Sequence, residues 1–216
     1  NQSIPGGATA ADLTITSLSS GSSGNGGSGV AGNWGTLTLN PDGSYSYAVP
    51  IGTTPGEAEV FAVDFPDPDN PGLTVTELLV FEIQPDGTGA LVPTIGNTAG
   101  ASFYDTNPAP QTPTAVTITS PGGTAGGPNQ PISDADSGIV AFNPDGTYDY
   151  VPSTTSPLGN GETETFAVTY VDTSGVTRTE TLTFVGQPDG SVLEQAPTSG
   201  ALVDDPNNQL PLAGTT

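Results

Sequence analysis

Gly35-Thr36-Leu37-Thr38-Leu39-Asn40-Pro41-Asp42-Gly43-Ser44-Tyr45-Ser46-Tyr47 and, 103 residues further on, Gly138-Ile139-Val140-Ala141-Phe142-Asn143-Pro144-Asp145-Gly146-Thr147-Tyr148-Asp149-Tyr150 are two versions of one pattern. In the first, apolar and polar residues alternate up to Asn-Pro-Asp-Gly and alternate again beyond it. Proline fixes φ, aspartate starts a tight turn and glycine takes the positive φ that closes a hairpin. Each stretch therefore predicts two antiparallel strands with one face in a core and the other in solvent.

The duplication extends outward from this hairpin. Leu13-Thr14-Ile15-Thr16 returns as Val116-Thr117-Ile118-Thr119 at the same offset. Glu59-Val60-Phe61-Ala62-Val63 returns as Glu164-Thr165-Phe166-Ala167-Val168 after a two-residue insertion in the second copy. The offset of 103 is then restored for Leu79-Val80-Phe81 against Leu182-Thr183-Phe184, and for Gln84-Pro85-Asp86-Gly87 against Gln187-Pro188-Asp189-Gly190. Matches in this order identify an internal repeat. Phe166, Val168, Tyr170 and then Thr179, Thr181, Thr183 alternate strictly, and no stretch carries helical periodicity. The expected fold is all-β: two tandem immunoglobulin-like antiparallel β-sandwich domains, with repeat 1 in residues 1–99, repeat 2 in 100–199 and a C-terminal tail in 200–216. The Gly- and Ser-rich residues 19–29 read as a loop.

The expected core of the first copy is Leu13, Ile15, Leu37, Leu39, Tyr45, Phe61, Val63, Leu79 and Phe81. That of the second is Val116, Ile118, Val140, Phe142, Tyr148, Phe166, Val168, Leu182 and Phe184. Trp34, just before a strand, reads as a core or rim aromatic, because a lone aromatic cannot form a sugar-stacking strip.

Composition closes several function classes. With one Lys or Arg, 23 Asp or Glu and no His, the formal charge is −22, which repels nucleic acid and anionic membrane surfaces. No segment is apolar enough for membrane insertion. Dissolved cations must screen the surface carboxylates, since Arg178 is the single side-chain cation. Cys is absent, and so are Lys and His, which removes disulfides and the usual nucleophile-base pairs. A two-carboxylate glycosidase needs only acids, but Glu57, Glu59, Glu162 and Glu164 recur at matching places and read as solvated strand faces. The chain is expected not to be an enzyme. The lack of lysine also excludes Lys-to-Asn cross-links, so packing has to supply the stability. The composition and the start at Asn1 suggest an exported, extracellular or cell-surface product.

Oxygen ligands two residues apart, Asp67 and Asp69 in one loop and Asp134 and Asp136 in another, are what a hard cation such as calcium prefers. Calcium is the one cofactor these residues suggest, and no complete EF-hand loop occurs. Asn1-Gln2-Ser3 is an N-glycosylation sequon.

The hairpin stretches, together with Gly161-Glu162-Thr163-Glu164-Thr165-Phe166-Ala167-Val168-Thr169-Tyr170-Val171-Asp172 and the strand after it, resemble the VCBS repeat family and the related bacterial cadherin-like domains. The resemblance covers about 70 residues of each copy, and the second copy is the closer match. It implies tandem β-sandwiches in large secreted adhesins and biofilm proteins, often calcium-associated. The first copy departs from the pattern at residues 64–72, where a longer Pro- and Asp-rich turn stands.

Beyond the second copy, Gly200-Ala201-Leu202-Val203-Asp204-Asp205-Pro206 echoes Gly100-Ala101-Ser102-Phe103-Tyr104-Asp105-Thr106-Asn107-Pro108, the segment leading into that copy. The first copy begins at Asn1, which matches Tyr104, so most of its own lead-in is missing. The expectation is that residues 200–212, through Ala201, Leu202, Val203, Leu210 and Leu212, add as a strand to domain 1 of the next identical subunit. Such head-to-tail contacts do not close and build filaments. The alternative is the stalk or a ligand-binding segment of a longer tandem adhesin, with glycans or cell surfaces as partners.

Overall fold

The computed structural model describes residues 8–67, 72–96, 114–135, 137–172 and 175–195. They form an all-β chain, with one short 3-10 turn at Ala10–Asp12, in two groups of sheets that make two tandem β-sandwich-like units. The units divide between Thr94 and Ile95, a little before the boundary at 99/100 read from the repeat.

The first unit contains β1 (Thr14–Ser17), β2 (Ser23–Asn25), β3 (Gly29–Ala31), β4 (Thr36–Leu39), β5 (Tyr45–Ala48), β6 (Ala58–Pro66), β7 (Thr74–Ile83) and β8 (Gly89–Val92). One sheet has the order β2-β1-β6-β7-β8 and the other β3-β4-β5, all antiparallel. The second unit contains β9 (Ile95–Gly96), β10 (Thr114–Thr119), β11 (Ala125–Gly126), β12 (Ile139–Phe142), β13 (Tyr148–Val151), β14 (Thr163–Val171), β15 (Thr177–Gly186) and β16 (Val192–Gln195). Its sheets run β11-β10-β14-β15-β16 and β12-β13-β9.

The quoted hairpins form with the predicted antiparallel pairing, but not with the predicted core and solvent faces: β13 is buried on both, and β5 has no buried residue. Leu37 faces Tyr47 and Leu39 faces Tyr45 across β4 and β5, and Val140 faces Tyr150 in the second unit. The turn between them is used four times. Asp42, Asp86, Asp145 and Asp189 each accept the backbone N–H two residues on, at 2.9 Å, and also that residue's hydroxyl. The glycine that follows has φ of +82, +82, +87 and +83 respectively, a region that L side chains avoid. The bonds Ser44, Thr88 and Ser191 donate hold the Asp42, Asp86 and Asp189 carboxyls below the usual range.

Strand alternation sets the core of each unit. Phe61, Val63 and Phe81 of the larger sheet meet Leu37 and Leu39 of the smaller one, all buried. Phe166, Val168 and Phe184 likewise meet Val140, Phe142 and Tyr150. Burial of one such phenylalanine contributes about 2–3 kcal/mol. Leu79 and Val116 are only partly buried but pack against these clusters.

Two expectations are corrected. Tyr45, read as core, is 48% exposed, for a reason that belongs to the site below. Residues 19–29, read as a loop, contain β2 and the start of β3, because the backbone of Ser23–Asn25 pairs with β1 whatever its side chains are. Glycine also fits there sterically, since a Cβ on Gly24 would lie 3.1 Å from the Val30 side chain. Among the described residues no helix is long and apolar enough to cross a membrane.

Candidate functional site

The two copies differ most at one edge. In the second unit β13 is paired on both sides: β12 flanks it on one, and β9 adds antiparallel on the other, with Ile95 opposite Tyr150 and Gly96 opposite Asp149. β9 lies upstream of the rest of that unit in the chain. All four residues of β13 are buried, including Asp149, which points away from the core and is 5% exposed. In the first unit β5 ends its sheet, and no strand pairs with its outer edge among the described residues. Tyr45, Ser46 and Ala48 are exposed and only Tyr47 is half-buried.

The opening continues into the sandwich. Tyr45 corresponds to Tyr148, which is buried, and Leu91 corresponds to Glu194. In the second unit the Tyr148 hydroxyl of β13 bonds the Glu194 carboxyl of β16 across the two sheets, and burial holds both groups above their ordinary pKa ranges. In the first unit Leu91, whose partner across β7 and β8 is the core residue Phe81, is 42% exposed, and the half-exposed Tyr45 ring packs edge-on against the same Phe81 at 5.6 Å. Ile51, in the turn after β5, is also fully exposed, so among the described residues three of the four large exposed apolar side chains lie in this unit. The result is an open β-edge above an apolar mouth, the arrangement that accepts an added strand.

A polar staple holds β5 and β13 each to the opposite sheet of its own unit. Tyr47 of β5 donates its hydroxyl to Glu59 of β6, and the same carboxylate accepts the backbone N–H of Asn33 at 2.8 Å and the Ser19 hydroxyl at 3.3 Å. Tyr150 donates to Glu164 at 2.8 Å, and Gly138 N–H adds a second bond at 2.8 Å. The tyrosine rings stack on Phe81 and Phe184, at 4.4 and 3.7 Å between centroids. Glycine precedes β4 and β12 because a Cβ on Gly35 would sit 2.4 Å from the Tyr47 ring, and one on Gly138 2.5 Å from that of Tyr150. Burial raises the Glu164 pKa, against the hydrogen bonds from Tyr150 and Gly138. Burial and then the bonded glutamate hold Tyr47 and Tyr150 well above the ordinary tyrosine range.

Reading these glutamates as solvated is thereby corrected: Glu59 is 2% and Glu164 6% exposed. A glutamate two residues before a core phenylalanine shares its face, so the period of the strand carried the signal. The two carboxylates lie in separate units, each saturated by donors from its own fold. Trp34 is half-buried, its backbone N–H 3.4 Å from Glu59.

The expected cation ligands divide between the units. Asp67 is buried at the end of β6 and Asp134 accepts the Gly122 N–H at 2.5 Å. Asp69 and Asp136 lie outside the described residues, as do Asn1 and the strand residues Ala201, Leu202, Val203, Leu210 and Leu212. Among the described residues no three acidic side chains gather as a metal site.

No protein-family model matches this chain, and no curated protein matches it. The site therefore rests on the comparison of the two copies. Asp172, equivalent to Asp67, adds a contrast: it binds Arg178 Nε at 2.6 Å where the first copy has Val75.

Proposed function

We propose that the chain is a non-enzymatic structural subunit of an extracellular filament. Residues 200–212 of one subunit add as a strand to domain 1 of the next, and repetition of that contact gives a head-to-tail polymer. The observation that carries this reading is the contrast between β13, complemented by β9, and the exposed β5 of the other copy. The unit accepts a strand at this edge in one copy, and among the described residues no strand pairs with the same edge in the other. The sandwiches are immunoglobulin-like and of the VCBS type in this reading, which their repeat sequence and their two antiparallel sheets support. Absence of cysteine and near absence of basic residues suit an exposed, protease-rich setting.

The test is to remove residues 200–216 from the chain and image purified material by electron microscopy. Filaments are expected from the intact chain and none from the truncated one, with both folded by circular dichroism. Intact filaments boiled in detergent are expected to fall to 21.5 kDa subunits. Polymer that stays long would instead favour a covalent tandem stalk, and filaments that survive the truncation would refute strand donation.

A further inference from the structure

We infer that the acceptor is the outer edge of β5, and that it takes residues 198–203 of a second copy antiparallel, with Thr198 opposite Tyr47 and Ser199 opposite Ser46. This inference rests on the strand-donation reading and gives it an address and a register.

The register comes from the pairing already present in the second unit, Ile95 with Tyr150 and Gly96 with Asp149. Moved by the repeat offset of 103, the acceptor pair becomes Tyr47 and Ser46 and the donor pair becomes Thr198 and Ser199. The offset holds up to that point, because Val92 pairs with Val80 just as Gln195 pairs with Thr183. Two residues then separate each last strand from its donor pair: Pro93-Thr94 in one copy, Ala196-Pro197 in the other. Proline immediately before a strand is compatible with it, since no ladder donor is lost within the pairing.

Side-chain period supplies an independent check. Directly opposed residues share a face, so Thr198, Gly200 and Leu202 would all face the core side, with Gly200 opposite Tyr45. A glycine there leaves room for the Tyr45 ring to lie across the added strand. Leu202, one step further, comes over the mouth beside Tyr45 and Leu91, the apolar residues left 48% and 42% exposed. A slip of one residue would turn Leu202 outward and bring Ser199, Ala201 and Val203 in, so a change of register changes the whole face presented to the core, and the pairing of Ile95 with Tyr150 is what selects between the two.

Charge agrees. In a chain of formal charge −22, residues 196–203 contain no carboxylate, and neither does β5. Two strongly acidic bodies can therefore meet along β5 without like charges facing each other; beyond it this register brings Asp204 beside Asp42, where repulsion, like that at longer range, is screened over about 8 Å at physiological ionic strength. Asp204 and Asp205 follow directly, where the strand would leave the edge.

The chain has no cysteine, which permits a direct test by engineered disulfides. The double variant Ser46→Cys/Ser199→Cys, in the full chain, is oxidised under assembly conditions and run on non-reducing gels. A ladder in steps of 21.5 kDa that collapses on reduction is expected. It should exceed by about tenfold the cross-linking of Ser23→Cys/Ser199→Cys, which offers the edge of β2 instead, because only opposed residues share a high effective concentration. Polymer that forms without a Ser46 cross-link would overturn the edge and register while leaving strand donation standing. A cross-linked monomer, or no assembly by folded variants, would overturn both.

Discussion

β5 and β13 share the same tyrosine spacing, Tyr45-Ser46-Tyr47-Ala48 against Tyr148-Asp149-Tyr150-Val151, and the same place in the hairpin, yet one is exposed except at the half-buried Tyr47 and the other is fully buried. Local sequence is not what separates them. β13 is covered because β9 reaches it from an upstream part of the chain, and Tyr148 then closes the gap between the sheets with Glu194. The first copy keeps the staple, the hairpin and the turn but has Leu91 in place of Glu194. A β-edge is thus a property of what arrives beside a strand, and two equal strands can serve as a finished wall and as a docking rim.

The largest expected effect bears directly on this contrast. Tyr148→Ala should cost the second unit about 3–4 kcal/mol, since it empties a buried aromatic site. Tyr45→Ala should cost the unassembled chain about 1 kcal/mol or less, because half of that ring is already in water. Urea titration read by hydrogen exchange in β12–β15 and in β4–β7 separates the two units. Equal costs would mean that the two edges are equally covered.

Next come the staples, where the copies should behave alike. Glu164→Ala leaves a buried tyrosine hydroxyl and a backbone N–H without an acceptor, and about 2–3 kcal/mol should be lost. Glu59→Ala should lose a similar amount, while Glu59→Gln and Glu164→Gln retain most of the stability. A much smaller loss at Glu59 would show that the open edge also loosens its attachment to the other sheet.

The ion pair is expected to matter less. Arg178 is 44% exposed against Asp172 at 4%, so solvent screening limits the pair. Arg178→Ala should lower the second unit's stability only slightly, by less than the staple variants, and leave the first unchanged in the same exchange experiment.

The smallest effect is with pH. Glu164, Glu194 and Asp64 have folded pKa values raised by burial, so the folded state holds protons that the unfolded chain has released. Their stabilising contribution is present below the unfolded value, 4.5 for glutamate, and is lost as pH rises through the folded one. Mild acidification from neutrality should therefore raise the melting temperature. At lower pH the turn aspartates Asp42, Asp86 and Asp189, whose pKa values are depressed, lose their contribution as they protonate. Calorimetry between neutral pH and the acid limb should show this maximum. A monotonic fall would mean that the buried carboxylates are not desolvated, and Glu194→Leu should flatten the rise.

Much of the architecture is legible in the sequence. Leu37, Leu39, Phe61, Phe81 and their second-copy partners lie in the core because strand alternation is a local rule. The Pro-Asp-Gly turns were equally readable, since Gly43 and its three counterparts meet a backbone demand set within four residues. Glu59 and Glu164 were misread because their chemistry says solvent while their parity says core; only the donors gathered from Tyr47, Asn33 and Gly138 reconcile the two. β2 was hidden because Ser23-Gly24-Asn25 has no apolar pattern, and its pairing with β1 is made entirely by main chain.

From its residues alone the chain determined a duplicated, strand-built unit, the hairpins at its centre and the lack of thiol, imidazole or amine side chains for covalent chemistry. Tertiary structure decided which edge is closed and which is open, and which carboxylates are buried. The physical reason is range: turn geometry and side-chain period act over a few residues, whereas edge pairing and desolvation depend on segments brought together from far along the chain.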